Sequence, residues 1–133
     1  MNSRSGCDGA RTGGVYRSGS GNSFSTWTRI QEVTVNGGCL DLAMTGNDVL
    51  YAACGNSDSV ESTVIFKTAS APSASLAGGW TDLTLQDPVL QSWTPRLGRV
   101  SLAIAPGDPN VVYAIGADFA LYDFLVLARS TTG

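Results

Sequence analysis

Eleven carboxylates and no histidine define the chemistry open to this chain of 133 residues. Without an imidazole there is no Ser-His-Asp triad, no histidine proton shuttle and none of the commonest zinc sites. Acid–base work would fall to carboxylates, and glycoside hydrolysis needs two of them facing each other across a cleft. Asp118 and Asp123 flank one apolar stretch, and Asp58 and Glu61 lie close together in an earlier loop. The segment Gly116-Ala117-Asp118-Phe119-Ala120 matches no catalytic motif. These acids therefore read first as solvated loop carboxylates. Trp93, in Gln91-Ser92-Trp93-Thr94-Pro95, is expected on an irregular loop. An indole there can stack on a sugar face, though burial against a neighbouring unit is the favoured reading. Trp93, Asp118 and Asp123 are thus the weak ligand-loop candidates. No residue is assigned a catalytic, cofactor-binding or metal role.

The elements that would position these side chains announce themselves as a repeat. Leu40-Asp41-Leu42-Ala43-Met44, a turn and Val49-Leu50-Tyr51-Ala52 match Val100-Ser101-Leu102-Ala103-Ile104, a turn and Val111-Val112-Tyr113-Ala114. Tyr51 and Tyr113 stand 62 residues apart. Both segments read as β-hairpins, with β-branched and aromatic flanks. Gly46-Asn47 is expected to make a two-residue turn, and Pro106-Gly107-Asp108-Pro109 a longer one. Each tyrosine is expected to pack between units with its hydroxyl at a polar edge, rather than to line a sugar subsite.

A second element alternates with the hairpins. Gly14-Val15-Tyr16-Arg17-Ser18 leads through a polar loop to Thr26-Trp27-Thr28-Arg29-Ile30. Val64-Ile65-Phe66-Lys67-Thr68 leads through a longer loop to Gly79-Trp80-Thr81-Asp82-Leu83. Leu125-Val126-Leu127-Ala128-Arg129-Ser130 opens a third copy. Four short strands per unit, at a spacing of roughly 50–60 residues, predict an all-β fold of propeller-type blades with cut ends.

Three cysteines, Cys7, Cys39 and Cys54, have no metal-site spacing. A two-residue turn at Gly46-Asn47 makes Cys39 and Cys54 a directly opposed cross-strand pair, close enough to bridge. A turn shifted by one residue would point them to opposite faces. A reducing compartment would also leave them as thiols.

Composition agrees with an all-β chain. Hydrophobic residues make up 43% and charged residues 14%, with 16 glycines and 5 prolines, so turns are plentiful. No window carries a sustained helical apolar stripe with caps. A net charge of −3, with scattered basic residues, disfavours a nucleic-acid partner. No apolar run approaches a membrane span. Residues 1–12 are expected to be a disordered polar N-terminus. Met1 to Gly14 lacks the apolar core of a secretory signal, which suggests either a cytoplasmic chain or an N-terminus that lies upstream.

These residues resemble the Asp-box propellers, the bacterial neuraminidase repeat class. That superfamily includes sialidases, xyloglucanase-type glycoside hydrolases, sortilin-type receptors and photosystem assembly factors. Its repeat reads Ser-x-Asp-x-Gly-x-Thr-Trp after an apolar strand. Leu102 to Ala114 is similar to the hairpin common between boxes, Tyr16-Arg17-Ser18 and Thr26-Trp27 bracket a box-like loop, and Arg129-Ser130-Thr131-Thr132-Gly133 looks like the opening of another. All three boxes are degenerate: Ser20 and Thr132 stand where the aspartate would be, and Ala69 to Gly78 contains none. The resemblance implies a partial propeller over residues 13–133, with a blade remnant over about 13–35, a blade over about 38–86 and the start of another over about 98–133. It gives Tyr16, Ser18, Trp27, Tyr51, Phe66, Trp80, Tyr113 and Ser130 structural roles in the repeat. The box itself reads as architecture, its short polar side chains bonding turn backbone.

Two function classes follow. One is a non-catalytic structural or binding segment, cut from a larger propeller, with a carbohydrate or protein ligand and no cofactor. The other is a piece of a sialidase- or xyloglucanase-like glycoside hydrolase whose acids lie partly outside the chain. The arginine triad, tyrosine nucleophile and Phe-Arg-Ile-Pro segment of sialidases are not recognisable here. Family members are often secreted or periplasmic. Open blade edges would favour self-association.

Overall fold

The computed structural model describes residues 13–19, 25–33, 38–55, 63–76 and 78–130. The expected disordered segment 1–12, Cys7, Ser20, Asp58, Glu61 and Thr132 lie outside those residues. The chain is mostly β, as its composition suggests, in three antiparallel sheets. The first sheet pairs β1 (Gly13–Arg17) with β2 (Thr28–Val33). The second is a meander of β3 (Gly38–Met44), β4 (Leu50–Gly55), β5 (Val64–Thr68) and the short β6 (Trp80–Asp82), in chain order. The third holds β7 (Leu97–Ala105), β8 (Asp108–Asp118) and β9 (Phe124–Ser130), again in chain order.

The repeat seen in the sequence is a repeat of register. In the second sheet Leu50, Tyr51, Ala52, Ala53 and Cys54 face Thr68, Lys67, Phe66, Ile65 and Val64. In the third, Val112, Tyr113, Ala114, Ile115 and Gly116 face Ser130, Arg129, Ala128, Leu127 and Val126. Each residue of the second set stands 62 positions after its counterpart. Two exchanges change the chemistry, Phe66 for Ala128 and Cys54 for Gly116. A side chain at Gly116 would collide with Leu97, which fills that place in the third sheet.

The core lies between sheets. Leu50, Ala52 and Cys54 of β4 meet Val15, Ile30 and Val33 of the first sheet, with Phe66 and Trp80 packed alongside. Ala53 and Ile65 turn the other way, onto Leu97 and Val100 of the third sheet. Strand residues alternate between faces, so β4 is covered on both and every residue in it is buried. Polar bonds sit at the seams. Trp80 Nε1 donates to the Ile30 carbonyl at 2.8 Å. The Arg17 guanidinium donates to the Ala71 carbonyl at 2.9 Å and also to that of Pro72. Between the second and third sheets, the Leu102 amide donates to Asp41 Oδ2 at 2.7 Å, and the Thr63 hydroxyl donates to the Gly98 carbonyl.

Both hairpin turns differ from their sequence reading. Met44 pairs with Leu50, so the first connection is the longer loop Thr45–Val49 and not a two-residue Gly46-Asn47 turn. The Thr45 hydroxyl accepts from the amides of Asn47 and Val49, and Asp48 takes the positive φ of 63°. A hydroxyl bonding the turn backbone thus overrides the glycine signal. In the second hairpin Ala105 pairs with Asp108, leaving a tight turn at Pro106-Gly107. The extra residues form a bulge between that pair and Ile104–Val112.

The shifted first turn alone would turn Cys39 and Cys54 to opposite faces. A bulge in β3 between Cys39 and Asp41 shifts the register back by one residue. Cys39 therefore lies opposite Cys54, and the two form a disulfide across a separation of 15 residues. Two short helices take the place of the irregular loop expected before the second hairpin: α1 (Leu83–Gln86) and α2 (Pro88–Trp93), followed by a 3-10 turn at Thr94–Arg96. They are too short to carry an amphipathic stripe, and their signal lies in the caps. Asp82 accepts from the Leu85 amide, while Asp87 accepts from Val89 and Leu90, with Pro88 opening α2.

Closing a loop of that length with a disulfide contributes about 3 kcal/mol in the chain-entropy view. Reduction is expected to lower the urea midpoint accordingly, and alkylation before reduction to label one of the three cysteines. A midpoint indifferent to reductant would remove the cross-link from the stability of the second sheet.

Candidate functional site

The second and third sheets diverge toward β5 and β9, and the helical connection bridges them: α1 lies against β5 and α2 reaches β9. The result is a cleft of about 690 Å³. Ile65, Leu83, Leu90, Leu102 and Ala114 give it an apolar floor. Tyr51 and Lys67 enter from the second sheet, while Arg129 and Ser130 lie along the β9 side. The Lys67 ammonium sits 5.8 Å from the centre of the Tyr51 ring, at the outer range of a cation–π contact. Such a volume, apolar with a few polar groups at its margin, suits a small ligand or a short segment of a polymer.

Among the described residues that line the cleft, no two acids face each other. Asp87 lines it, but one carboxylate oxygen of Asp87 already accepts two helix amides. Among the described residues no group of three His, Cys, Asp or Glu side chains could hold a metal ion.

Tyr51 is 2% exposed, and its hydroxyl is buried without a hydrogen-bond partner among the described residues. The expected polar edge is therefore absent. Burial pushes the phenol up from its ordinary value, so it stays protonated at neutral pH. Its repeat counterpart Tyr113 is 37% exposed, on the outer face of the third sheet.

Asp118 is not a solvated loop acid. It is 2% exposed and closes the connection from β8 to β9. One oxygen accepts from the amides of Ala120 at 2.8 Å and Leu121 at 3.1 Å, and the other is ion-paired with Arg96. The Ala120 bond does most to hold its carboxyl below the usual range. Burial opposes it, while the Leu121 amide and Arg96 add to the lowering. Asp123 is exposed, and its backbone carbonyl accepts from the Asp118 amide at 2.9 Å. The two candidate acids thus shape one turn and do not face each other across the cleft.

The remaining sequence candidates take structural places. Trp93 ends α2, half-buried, and is not on an irregular loop. The Ser18 hydroxyl donates to the Thr26 carbonyl at 2.6 Å, tying the two ends of the first box-like loop. Ser130 ends β9 opposite Val112. Phe66 packs into the core between the first and second sheets. Tyr16 in β1 and Trp27, just before β2, are exposed. The sequence reading missed the cleft, Lys67 and the helical connection. The cap pairs Asp82–Leu85 and Asp87-Pro88 were the available signal for that connection. Comparisons with protein-family models, with curated proteins and with solved structures find no match to this chain.

Two expectations follow. Tyr51→Phe removes an unsatisfied buried hydroxyl at constant shape, and is expected to raise stability by about 1 kcal/mol, read from the urea midpoint. A lower midpoint would show that the hydroxyl has a partner in solution. Asp118 has a folded pKa below its ordinary value of 3.8. Its contribution is present above that value and is lost as pH falls through the folded one. Acidification from roughly pH 6 to pH 2.5 should therefore destabilise the wild type more steeply than Asp118→Asn, and equal slopes would refute the linkage.

Proposed function

We propose that the chain is a run of propeller-type blades, of the Asp-box kind its sequence resembles, that works by structure and binding and not by catalysis. The observation that carries this reading is the repeated register. In two meanders in chain order, the β4–β5 and β8–β9 pairings match residue for residue at a spacing of 62, and Leu42, Ala43 and Met44 of β3 pair as Leu102, Ala103 and Ile104 of β7 do, 60 positions on. The stacking supports it. The first strands of the second and third sheets, β3 and β7, pack together, and the last strands of the first and second sheets meet through Trp80 and Ile30. First strand to first strand and last to last is the radial order of blades around an axis. On this reading the first sheet supplies the outer half of one blade, the second a whole blade and the third the first three strands of the next.

The cleft between the second and third sheets is the binding site of this proposal, with a carbohydrate or a protein segment as ligand. Its apolar floor would take a sugar face or an apolar side chain, and Lys67 would meet hydroxyls or a carboxylate. Of the two acids singled out in the sequence, Asp118 does not line the cleft. Its carboxylate caps the Ala120 and Leu121 amides and pairs with Arg96, a structural task that favours the non-catalytic reading.

Full-length chain is to be titrated with neutral and acidic oligosaccharides while tryptophan fluorescence is followed, and incubated with nitrophenyl glycosides. Saturable binding that Lys67→Ala weakens, with no release of nitrophenol, is expected. Turnover that Asp118→Asn abolishes would overturn the non-catalytic reading. Binding untouched by Lys67→Ala would move the site away from the cleft.

A further inference from the structure

The connection from β8 to β9, Phe119-Ala120-Leu121-Tyr122-Asp123, is braced from within. The buried Asp118 carboxylate holds the Ala120 and Leu121 amides and pairs with Arg96. The Asp118 amide donates to the Asp123 carbonyl and the Tyr122 amide to the Asp118 carbonyl, both at 2.9 Å. The Phe119 amide donates to the Arg96 carbonyl at 3.1 Å. Phe119 lies so close over Gly98 that a Cβ there would stand 2.9 Å from it.

What this turn presents is apolar. Leu121 is 61%, Tyr122 74% and Phe124 68% exposed. Tyr122 takes a φ of 57°, where a bulky side chain is uncommon. At the same place in the repeat the sequence reads Asn56-Ser57-Asp58-Ser59-Val60-Glu61-Ser62, with Val60 alone apolar. The repeat therefore does not demand an apolar tip. Aromatic side chains held ready on a loop are typical anchors of protein interfaces. Asp123, exposed between Tyr122 and Phe124, narrows the partner. A lipid layer taking up the two aromatics would have to take up a carboxylate with them, at high cost. A fitting receptor is concave and apolar, with a cation at its margin. The cleft between the second and third sheets has that form. Its floor is apolar, and Lys67 and Arg129 line it against a single acid, Asp87, in a chain whose net charge is −3. Within one chain the tip closes the far end of the β8–β9 hairpin from Val112 and Ser130, which line the cleft. The tip in a cleft must then come from a second copy.

We propose that the tip of one copy, residues 121–124, seats in the cleft of a second. Tyr122 and Phe124 meet the apolar floor, and Asp123 lies beside Lys67 and Arg129. The inference rests on the cleft being a binding site, and it names the occupant as a protein segment of this same chain. The contact is heterologous, so it can close into a ring or run on through successive copies.

The test is light scattering after size exclusion on the full chain over a dilution series, with circular dichroism to confirm folding. The wild-type mass should rise with concentration by whole multiples of the chain. Tyr122→Ser on the tip and Lys67→Glu in the cleft should each weaken association by roughly tenfold or more. Mixed, these two variants retain one intact tip and one intact cleft, and should form a complex of one chain of each. Asp123→Lys alone should weaken association, and Asp123→Lys with Lys67→Glu in one chain should restore it. Should Lys67→Glu fail to fold, Arg129→Glu replaces it, at an exposed position. An acidic oligosaccharide that binds the cleft should disperse the assembly. Association that depends on both tip and cleft, with no oligosaccharide bound, supports the proposal while the carbohydrate reading fails. A wild type that binds oligosaccharide but stays monomeric at every concentration overturns the proposal and leaves the cleft as a site. Loss with Tyr122→Ser but not with Lys67→Glu or Arg129→Glu seats the tip elsewhere and overturns it. A monomer recovered on phosphatidylcholine vesicles gives the tip to a lipid surface and also overturns it.

Discussion

Two-sided burial of β4 is the constraint on which the other packing depends. A strand covered on both faces must be apolar at every position, and Leu50-Tyr51-Ala52-Ala53-Cys54 meets that demand. The small residues at its centre matter as much as the apolar character. Ala52 and Ala53 are fully buried, one toward each neighbouring sheet. Larger side chains there would force the sheets apart and leave Val15, Ile30, Leu97 and Val100 short of partners. The polar seams, Trp80 to Ile30 on one side and Leu102 to Asp41 on the other, can form only once that spacing is set.

Register in the second sheet is held by two opposing irregularities. The Thr45–Val49 loop displaces the pairing by one residue, and the β3 bulge restores it before the cysteines. The same bulge places Asp41, whose two carboxylate oxygens accept from Leu42 in its own strand and Leu102 in the next sheet. One extra residue thereby serves both the covalent cross-link and the seam. A bulge here has the character of a fixed feature and not of a defect.

Much of the strand content was legible because it rests on alternation and β-branched runs, and those signals are local. The repeat was legible for the same reason, since Tyr51 and Tyr113 mark equal positions in equal strands. The turns were misread because glycine and proline compete with a side-chain hydroxyl in one hairpin and a bulge in the other. Neither leaves a mark in residue type alone. The helical connection was missed because its information lies in Asp82 and Asp87 as caps and not in periodicity. At the site, Asp118 looked like a loop acid because a sequence shows charge and neighbours but not depth. The cleft depends on three segments far apart in the chain, so no local pattern announces it.

The Cys39–Cys54 bond also fixes how this chain would carry mechanical load. Hairpins pulled from one end open pair by pair, and each freed residue adds to the extended length. The cross-link withholds the residues between the two cysteines from that extension. A chain stretched with the bond intact would come out shorter by roughly 50 Å, the reach of about fifteen extended residues, than the same chain after reduction. The third sheet has Gly116 in the place of that cysteine, and no such stop. Under tension the two meanders would differ, one yielding in full and the other keeping a closed loop at its first hairpin.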